Sequence, residues 1–292
     1  LDNADPRPRA VADLDWTTAP AGAVEVEQEG CDLVVSGGGT VVVIDTRTGL
    51  PRSLRAGGRE LLERPAELNI WRAPTDNDRH ARLEWERAHY HQAVARAYGV
   101  DVDEAPGRVT ISADVGLVAP SVQPALRGRL VWSLTDDGVL SLNLRLRRTL
   151  GFPSLPRLGL RLFLPESMNQ VDYYGLGPQE SYIDKHRASY HGAFSADVVD
   201  LHEDYIRPQE NGSHADCNKV LLSGGGLSLA AVGPTPFSFN ASRYTQEELA
   251  ARRRNTELTP SGSTVLCLDA AMAGIGSNSC GPALRPRYQV DS

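Results

Sequence analysis

The feature that most constrains the fold is a series of short segments in which apolar and polar residues alternate. The clearest is 139–148, where leucine alternates with serine, asparagine and arginine, as in a strand with one buried and one wet face. Glycine-rich or Asp-Gly turn signals follow 32–36 and precede 139. With about fifteen such strands and one helix-like segment, the chain is predicted to be an antiparallel all-β sandwich rather than a fold of alternating strands and helices. Further predicted strands are 40–45, 108–112, 126–134, 158–163, 220–222, 227–232, 237–240 and 264–268.

One region is typical of a helix instead. Residues 81–98 are rich in Ala, Glu and Arg and contain no Gly or Pro, which predicts a surface helix or a lid. His89 and His91 form a His-x-His pair within it. Because residues i and i+2 do not share a helix face, a joint metal site would need a strand here, and two surface histidines are the alternative.

Composition excludes several classes of partner. The 292 residues carry 30 basic and 37 acidic side chains, a net charge of −7, which argues against nucleic acid or an anionic membrane as a partner. No window approaches the roughly 20 apolar residues of a membrane span. Four cysteines without a CxxC pair indicate neither a zinc site nor a disulfide framework, and they fit a reducing cytoplasm.

The first residues differ from the rest of the chain. Residues 1–30 are rich in Ala, Pro and acids with little periodicity, which predicts a lead-in or linker from a preceding domain. The start has no Met, no basic region and no apolar run, so it is not predicted to be a signal peptide. We expect it to be the cut end of a longer polypeptide.

The stretch 69–78 joins a short apolar run to a group of polar residues. An apolar pair ending in Trp71 predicts a strand, which Pro74 stops, and three small polar residues follow. The strand is therefore expected to bring Arg72 to a sheet edge and present a loop with two carboxylates. Such loops often carry binding chemistry. The alternative is an Asx-rich turn in which Arg72 pairs with Asp76 or Asp78.

Three more segments mix aromatic residues with acids, amides and turn residues. They are 173–184, 205–213 and 274–282, of which 205–213 is predicted to be a strand ending in a loop broken by proline. All three are interpreted as too polar to be simple strands. Aromatic rings that stack on sugars and polar groups that bind hydroxyls together favour a carbohydrate site. Ordinary turns at strand ends remain the alternative for each segment taken alone.

These motifs, taken together, resemble one domain. Residues 71–78, 174–182, 207–212, 239–244 and 274–276 resemble, in the same order, the motifs of the C-terminal domain of glycoside hydrolase family 2 β-galactosidases. That domain is also called the fifth or small-chain domain. The motifs fall between about residues 31 and 290, so the resemblance covers nearly the whole chain.

The resemblance implies a fold and a place in a larger enzyme. It implies a large antiparallel supersandwich of the galactose mutarotase-like type over 31–292, with one short helix or lid segment, packed against a catalytic TIM barrel. The parent enzyme would be a cytoplasmic, oligomeric hydrolase that acts on terminal β-D-galactosides such as lactose with retention. Its two catalytic Glu residues would lie about 5–5.5 Å apart in the barrel. No residue of this chain is therefore expected to be catalytic.

The resemblance also implies site residues and cofactors. The segment 79–90 would be a shortened active-site lid, and Cys280 would stand near the place of a family tryptophan that stacks on the sugar. Any Mg or Na ions would lie in other domains, so no cofactor or metal is expected in this chain. The residues expected to bind substrate or support its pocket are Arg72, Asp76, Asn77, Asp78, Glu210, Asn211, Asn278 and Cys280.

Two other functions fit the sequence. One is a free-standing mutarotase-like epimerase or carbohydrate-binding module, whose epimerase chemistry needs a positioned His and Glu in one pocket. The other is a purely structural sandwich that holds an oligomer together. The histidines available for the first are His186, His191, His202 and His214, and no spacing distinguishes one of them.

Overall fold

The computed structural model describes residues 22–291, which divide into two compact units. The first unit contains 69–87 and 153–291, and the second contains 22–68 and 88–152. Most of the predicted lead-in 1–30 lies outside the described residues, although its last part forms strand β1 (Glu25–Glu29). The single domain predicted over 31–292 remains a prediction.

The second unit is built from two antiparallel sheets. One sheet has the strand order β1-β2-β3-β4-β5 and the other has the order β10-β9-β8-β7. Both orders follow the chain, as in a series of hairpins. The strands are β2 (Asp32–Gly37), β3 (Thr40–Asp45), β4 (Leu50–Ala56), β5 (Arg59–Glu60), β7 (Val94–Ala105), β8 (Arg108–Val118), β9 (Leu126–Thr135) and β10 (Leu140–Arg148).

Contacts between these two sheets make the second unit a sandwich. The indole N–H of Trp132 on β9 donates to the carbonyl of Gly49, 2.9 Å away, beside β4. Gly49 has a φ of +72°, and a Cβ there would lie 2.7 Å from Cβ of Ala113 on β8, so the approach requires glycine. Three of the four leucines of β10 pair with buried residues of β9, for example Leu142 with Trp132. This register explains the alternation that is visible in the sequence.

The first unit contains an antiparallel sheet with the strand order β13-β12-β14-β15-β16-β11. Strands β11 and β16 are buried over most of their length. Helix α2 (Gln246–Ala251) begins where the Thr245 hydroxyl accepts a hydrogen bond from the amide of Glu248. The strands are β11 (Arg157–Pro165), β12 (Gln170–Gly177), β13 (Tyr190–Asp197), β14 (Ser213–Gly224), β15 (Leu227–Ser242) and β16 (Ser263–Met272).

The helix predicted over 81–98 is wrong in its second half. Helix α1 spans only Ala81–Arg87, and 94–98 belong to strand β7. His89 adopts a left-handed conformation with φ 56°, which ends the helical run. The residues of β7 then gain an antiparallel ladder with β8, broken by one bulge between Ala97 and Gly99, and this long-range pairing overrides their helix propensity.

Two of the polar segments also differ from expectation. Residues 173–177 do belong to a regular strand, β12. It pairs with β13 on one side and β14 on the other, and this backbone pairing accommodates its polar residues. Residues 205–207 do not form the predicted strand. The next strand, β14, begins at Ser213. The prediction of an antiparallel all-β chain is confirmed. No helix in the described part of the chain is long and apolar enough to cross a membrane.

Candidate functional site

The candidate site begins with the loop that follows strand β6 (Arg64–Asn69). The side chain of Asn69 accepts a hydrogen bond from the amide of Trp71 at 3.1 Å, which turns the chain out of the strand. Residues Asp76–Asp78 then form one turn of 3₁₀ helix. The Asp78 carboxylate accepts from the amide of Thr75 at 2.9 Å, so the turn is closed by its own side chain.

Arg72 is the buried anchor of this loop. Its guanidinium makes two hydrogen bonds to the Asp78 carboxylate, of 3.1 and 2.7 Å, and its side chain is 1% exposed. It also donates to the carbonyls of Ala273 and Gly274 at 2.9 and 3.0 Å. Of the two pairings considered for Arg72, the structure contains the one with Asp78. This single side chain therefore ties the 72–78 loop to the loop that follows β16.

The same two loops are joined at a second point. The Asn77 amide donates to the carbonyl of Gly276 at 2.7 Å, and its oxygen accepts from the backbone and hydroxyl of Ser279 at 3.2 and 2.7 Å. Asp184 supports this loop from another side, because its carboxylate accepts from the amides of Ile275 and Gly276 at 2.9 and 2.8 Å. Side chains from distant parts of the chain thus hold the 274–279 loop.

Gly274 allows Asp184 to approach this loop. A Cβ on Gly274 would lie 2.5–2.7 Å from the Asp184 carboxylate. We expect Gly274→Ala to lower the free energy of unfolding by about 1–3 kcal/mol, because either the carboxylate or the loop must move. Urea denaturation measures the loss. Gly99→Ala is the matched control, since a Cβ at Gly99 meets nothing within 4 Å, and an equal loss there would contradict this explanation.

Beneath the loops lies a buried ionic cluster, defined as Arg72, Asp78, Arg157, Glu210 and Asp269. Arg157 donates to both oxygens of Asp269, at 3.0 and 2.6 Å, and to Oε2 of Glu210 at 3.2 Å. Its five members are each 5% exposed or less. Burial raises the pKa of both Glu210 and Asp269, and Arg157 offsets the effect only in part.

The raised pKa of Glu210 leads to a prediction about pH. The folded state holds the Glu210 proton more tightly than the unfolded chain does. Protonated Glu210 therefore contributes to the free energy of unfolding most at low pH, and this contribution is lost as pH rises through the folded-state pKa. We expect Glu210→Gln, which carries no charge at any pH, to become more stabilising relative to wild type from pH 5 to pH 8. The gain at pH 8 should reach about 1 kcal/mol.

Glu180 provides a control of opposite sign for that measurement. Burial alone raises its pKa, but hydrogen bonds from Lys185 at 2.5 Å, Tyr205 at 2.7 Å and the amide of Gly212 at 2.9 Å outweigh it, and the pKa lies below its ordinary value. Ionised Glu180 therefore stabilises the fold at pH values above the unfolded-state pKa. This stabilisation is lost as pH falls through the folded-state pKa. Glu180→Gln should be destabilising at pH 8, by about 1–3 kcal/mol, and less so in acid. The same slope for both variants would contradict the assignment.

The loops enclose an open cleft of about 490 Å³, a size suited to a small ligand or a few side chains. Carboxylates and amides dominate its wall, with one tyrosine and one lysine. Its lining residues are Thr75, Asp76, Asn77, Asp184, Lys185, Tyr205, Gln209, Glu210, Ile275 and Gly276.

Three of the predicted site residues line this cleft, and two lie beneath it. Asp76, Asn77 and Glu210 form part of the wall. Arg72 and Asp78 are buried under the loop, where they position it rather than face a ligand. Only the Asp76 side chain is largely exposed, and it approaches Arg207 to 3.6 Å.

The other three predicted residues are not among the lining residues. Asn211 is buried and braces its own loop, accepting from the amide of Glu203 at 3.0 Å and donating to the carbonyl of Gln209 at 2.9 Å. Asn278 and Cys280 lie in the turn that follows Gly276, and Cys280 is exposed. The binding roles predicted for these residues remain predictions.

Several cleft residues were absent from the predicted set. Tyr205, Gln209 and Gly276 lie inside segments that the sequence already marked as polar loops, so a finer reading of those motifs could have included them. Arg157 and Asp269 gave no such signal, because each stands in a run that is typical of a plain strand.

No histidine lines the cleft. His214 is buried between two aromatic rings, and its ring centroid lies 4.7 Å from that of Tyr173 and 5.1 Å from that of Phe239. Desolvation lowers the pKa of His214. His191 contacts Asp216 at 3.1 Å, and His186 contacts the carbonyl of Tyr182. The pairing of His with Glu that epimerisation requires therefore does not occur in this cleft.

No group of three or more His, Cys, Asp or Glu residues within 22–291 is arranged to hold a metal ion. The rings of His89 and His91 stack with their centroids 6.2 Å apart; His91 lies in a short 3₁₀ turn and His89 directly before it. All four cysteines are free thiols.

Comparison with known proteins identifies the family. A family model described as β-galactosidase small chain matches residues 36–292. The β-galactosidase of Actinobacillus pleuropneumoniae is 38% identical over 266 residues, which cover 91% of this chain and 26% of that protein. Those of Staphylococcus xylosus and Lactobacillus delbrueckii subsp. bulgaricus are 38% and 31% identical, covering 77% and 94% of this chain.

This chain spans about a quarter of the length of these curated relatives, since the last two matches cover 22% and 27% of those proteins. The family match extends over most of the chain. The matched range 36–292 contains both loops and every residue of the cleft. Because the family model matches most of the chain, we conclude that this chain belongs to the β-galactosidase small-chain family.

Proposed function

We propose that this chain is the C-terminal domain or small subunit of a retaining β-galactosidase of the cytoplasm that hydrolyses terminal β-D-galactosides. In such a reaction one carboxylate attacks the anomeric carbon while a second acid protonates the leaving oxygen. The proposal assigns both catalytic Glu residues, and any Mg or Na ion, to a TIM-barrel region outside this chain. The chain itself supplies pocket loops and assembly contacts.

The observation that carries this proposal is the way in which the 72–78 loop is held. Arg72 and Asn77 fix it to the 274–279 loop at two separate points, so the exposed face of Asp76 and Asn77 has a defined position. A loop held in this way can present polar groups to a neighbouring active site without rearranging. The buried cluster serves this positioning, and none of its carboxylates has a catalytic role in the proposal.

A chimera tests the proposal. In the β-galactosidase of Actinobacillus pleuropneumoniae, the 266-residue segment that matches this chain is replaced by the corresponding residues of this chain. We expect the chimera to hydrolyse nitrophenyl galactoside, and the 292-residue chain alone to be inactive. Turnover by the purified chain alone, or an assembled chimera without activity, would contradict the proposal. An NMR assay of galactose anomer exchange by the chain alone tests the epimerase alternative in the same samples.

A further inference from the structure

The buried ionic cluster contains more negative than positive groups. It has two guanidinium groups and three carboxyl groups, with Arg72 paired to Asp78 and Arg157 shared by Asp269 and Glu210. With all five groups ionised, the cluster therefore carries one more negative than positive charge in a buried place. Such a charge is costly unless a proton or a cation neutralises it.

This excess charge is least compensated at Glu210, which receives one hydrogen bond from Arg157, whereas Asp269 receives two. Glu210 Oε2 accepts from Arg157, whereas its Oε1 is buried and has no hydrogen-bond partner. Thr75, which lines the same cleft, also has a buried hydroxyl without a partner. These are two of four such side-chain atoms among the described residues, and a native protein normally satisfies them with a ligand, water or another chain.

The rest of the cleft favours a positive side chain as the occupant. Its lysine, Lys185, is already bound to Glu180, so it does not offset the excess negative charge at Glu210. Asp76 adds a carboxylate at the rim, where it lies 3.6 Å from the exposed Arg207. Next to the lining residue Tyr205, Ile206 is 81% exposed and could cover the apolar stem of a long side chain.

Other ligands satisfy these features less well. A sugar hydroxyl could bond to Glu210 Oε1 but would leave the excess negative charge of the cluster in place. A metal ion would find no group of three or more acidic, His or Cys ligands in the described part of the chain. A guanidinium or ammonium group supplies both the hydrogen bonds and the charge.

We propose that the cleft receives an arginine or lysine side chain from the part of the β-galactosidase that lies outside this chain, and that this side chain binds Glu210 Oε1 and the Thr75 hydroxyl. The inference rests on the proposed function, because it takes the occupant from a larger enzyme, and this chain spans only about a quarter of the length of its relatives. It makes Glu210 part of a docking surface.

The first test uses the 292-residue chain and two small probes. Nα-acetyl-arginine amide carries the guanidinium, and Nα-acetyl-citrulline amide is its neutral isostere. We expect the arginine probe to bind at least about tenfold more tightly, with NMR shifts at the backbone amides of Thr75 and Glu210. Glu210→Gln should remove this preference. Thr75→Val, which keeps the shape of the side chain, should weaken the arginine probe several-fold in a protein whose spectrum shows a native fold.

A control variant separates this site from general acidity. Asp114→Asn removes a half-exposed carboxylate that is paired with Arg129 in the second unit, and it should leave both affinities unchanged. Equal binding of the two probes, displacement of the arginine probe by galactose, or insensitivity to Glu210→Gln would each overturn the inference.

The second test is the structure of the assembled chimera. We expect an arginine or lysine nitrogen within hydrogen-bond distance of Glu210 Oε1, and a cleft filled by water or sugar would overturn the inference while the proposed function stands. A chimera that does not assemble counts against the proposed function, and the probe titration then decides the inference by itself.

Discussion

Replacing Arg157 with methionine should lower the free energy of unfolding by about 3–5 kcal/mol, because it leaves Asp269 and Glu210 buried without their shared cation. Arg157 is 1% exposed and Asp269 is fully buried, so water cannot take over the lost hydrogen bonds. Either carboxylate can escape part of this cost by taking up a proton. The loss measured by urea denaturation should therefore be larger at pH 8 than at pH 5.

The matched control for this variant lies on the same strand. Arg161→Met also removes a largely buried arginine from β11, but its carboxylate partner, Glu247, is 51% exposed and can be solvated by water, and its other partner, Gln246, carries no charge. We expect a clearly smaller loss with little dependence on pH. Equal losses for Arg157→Met and Arg161→Met would show that the buried carboxylates are not the source of the effect.

The second large effect is expected for Asp78→Ala, which leaves the guanidinium of Arg72 buried without its carboxylate. Arginine cannot release its proton, so no change of pH relieves the cost, and the loss of stability should again be about 3–5 kcal/mol. The Thr75 amide also loses the acceptor that closes the turn. Within an assembled β-galactosidase, the same variant should weaken substrate affinity or docking of this chain.

Asp76→Ala is the control, two residues away in the same turn. Its carboxylate is 60% exposed and lies 3.6 Å from an exposed arginine, so the change should alter stability by less than about 1 kcal/mol. Denaturation of both variants at pH 5 and pH 8 separates the two outcomes. A loss for Asp78→Ala no greater than that for Asp76→Ala would show that the Arg72 pair does not anchor the loop.

Both experiments concern the same arrangement, in which buried charges position exposed loops. A purely apolar core under the cleft could be at least as stable, since buried ion pairs are often no better than apolar contacts. The cluster instead gives the loops defined hydrogen-bond partners, because Arg72 joins the 72–78 loop to the carbonyls of 273 and 274. This specificity is what a loop presented to another active site requires.

Local chemistry was sufficient to predict most of the strands and part of the candidate site. The alternation in 139–148 and the turn at Asp137-Gly138 predict a hairpin strand, because side-chain direction and turn geometry depend on neighbouring residues. Because Arg72 and Asp78 are only six residues apart, local sequence also predicted their ion pair, as one of two alternatives for Arg72. Where local propensity competed with a distant partner, as in 94–98 opposite β8, it gave the wrong element.

By itself, the sequence determined the all-β class, the order of the polar loops and the resemblance to one family. Only the tertiary structure decided which residues meet. Arg157 lies 53 residues from Glu210 and 112 from Asp269; antiparallel pairing of β11 with β16 brings Arg157 close to Asp269, and Glu210 reaches Arg157 from the loop before β14. No local pattern records such a contact, because the charge of a side chain is visible in sequence whereas its burial and its partner depend on which distant strands become neighbours.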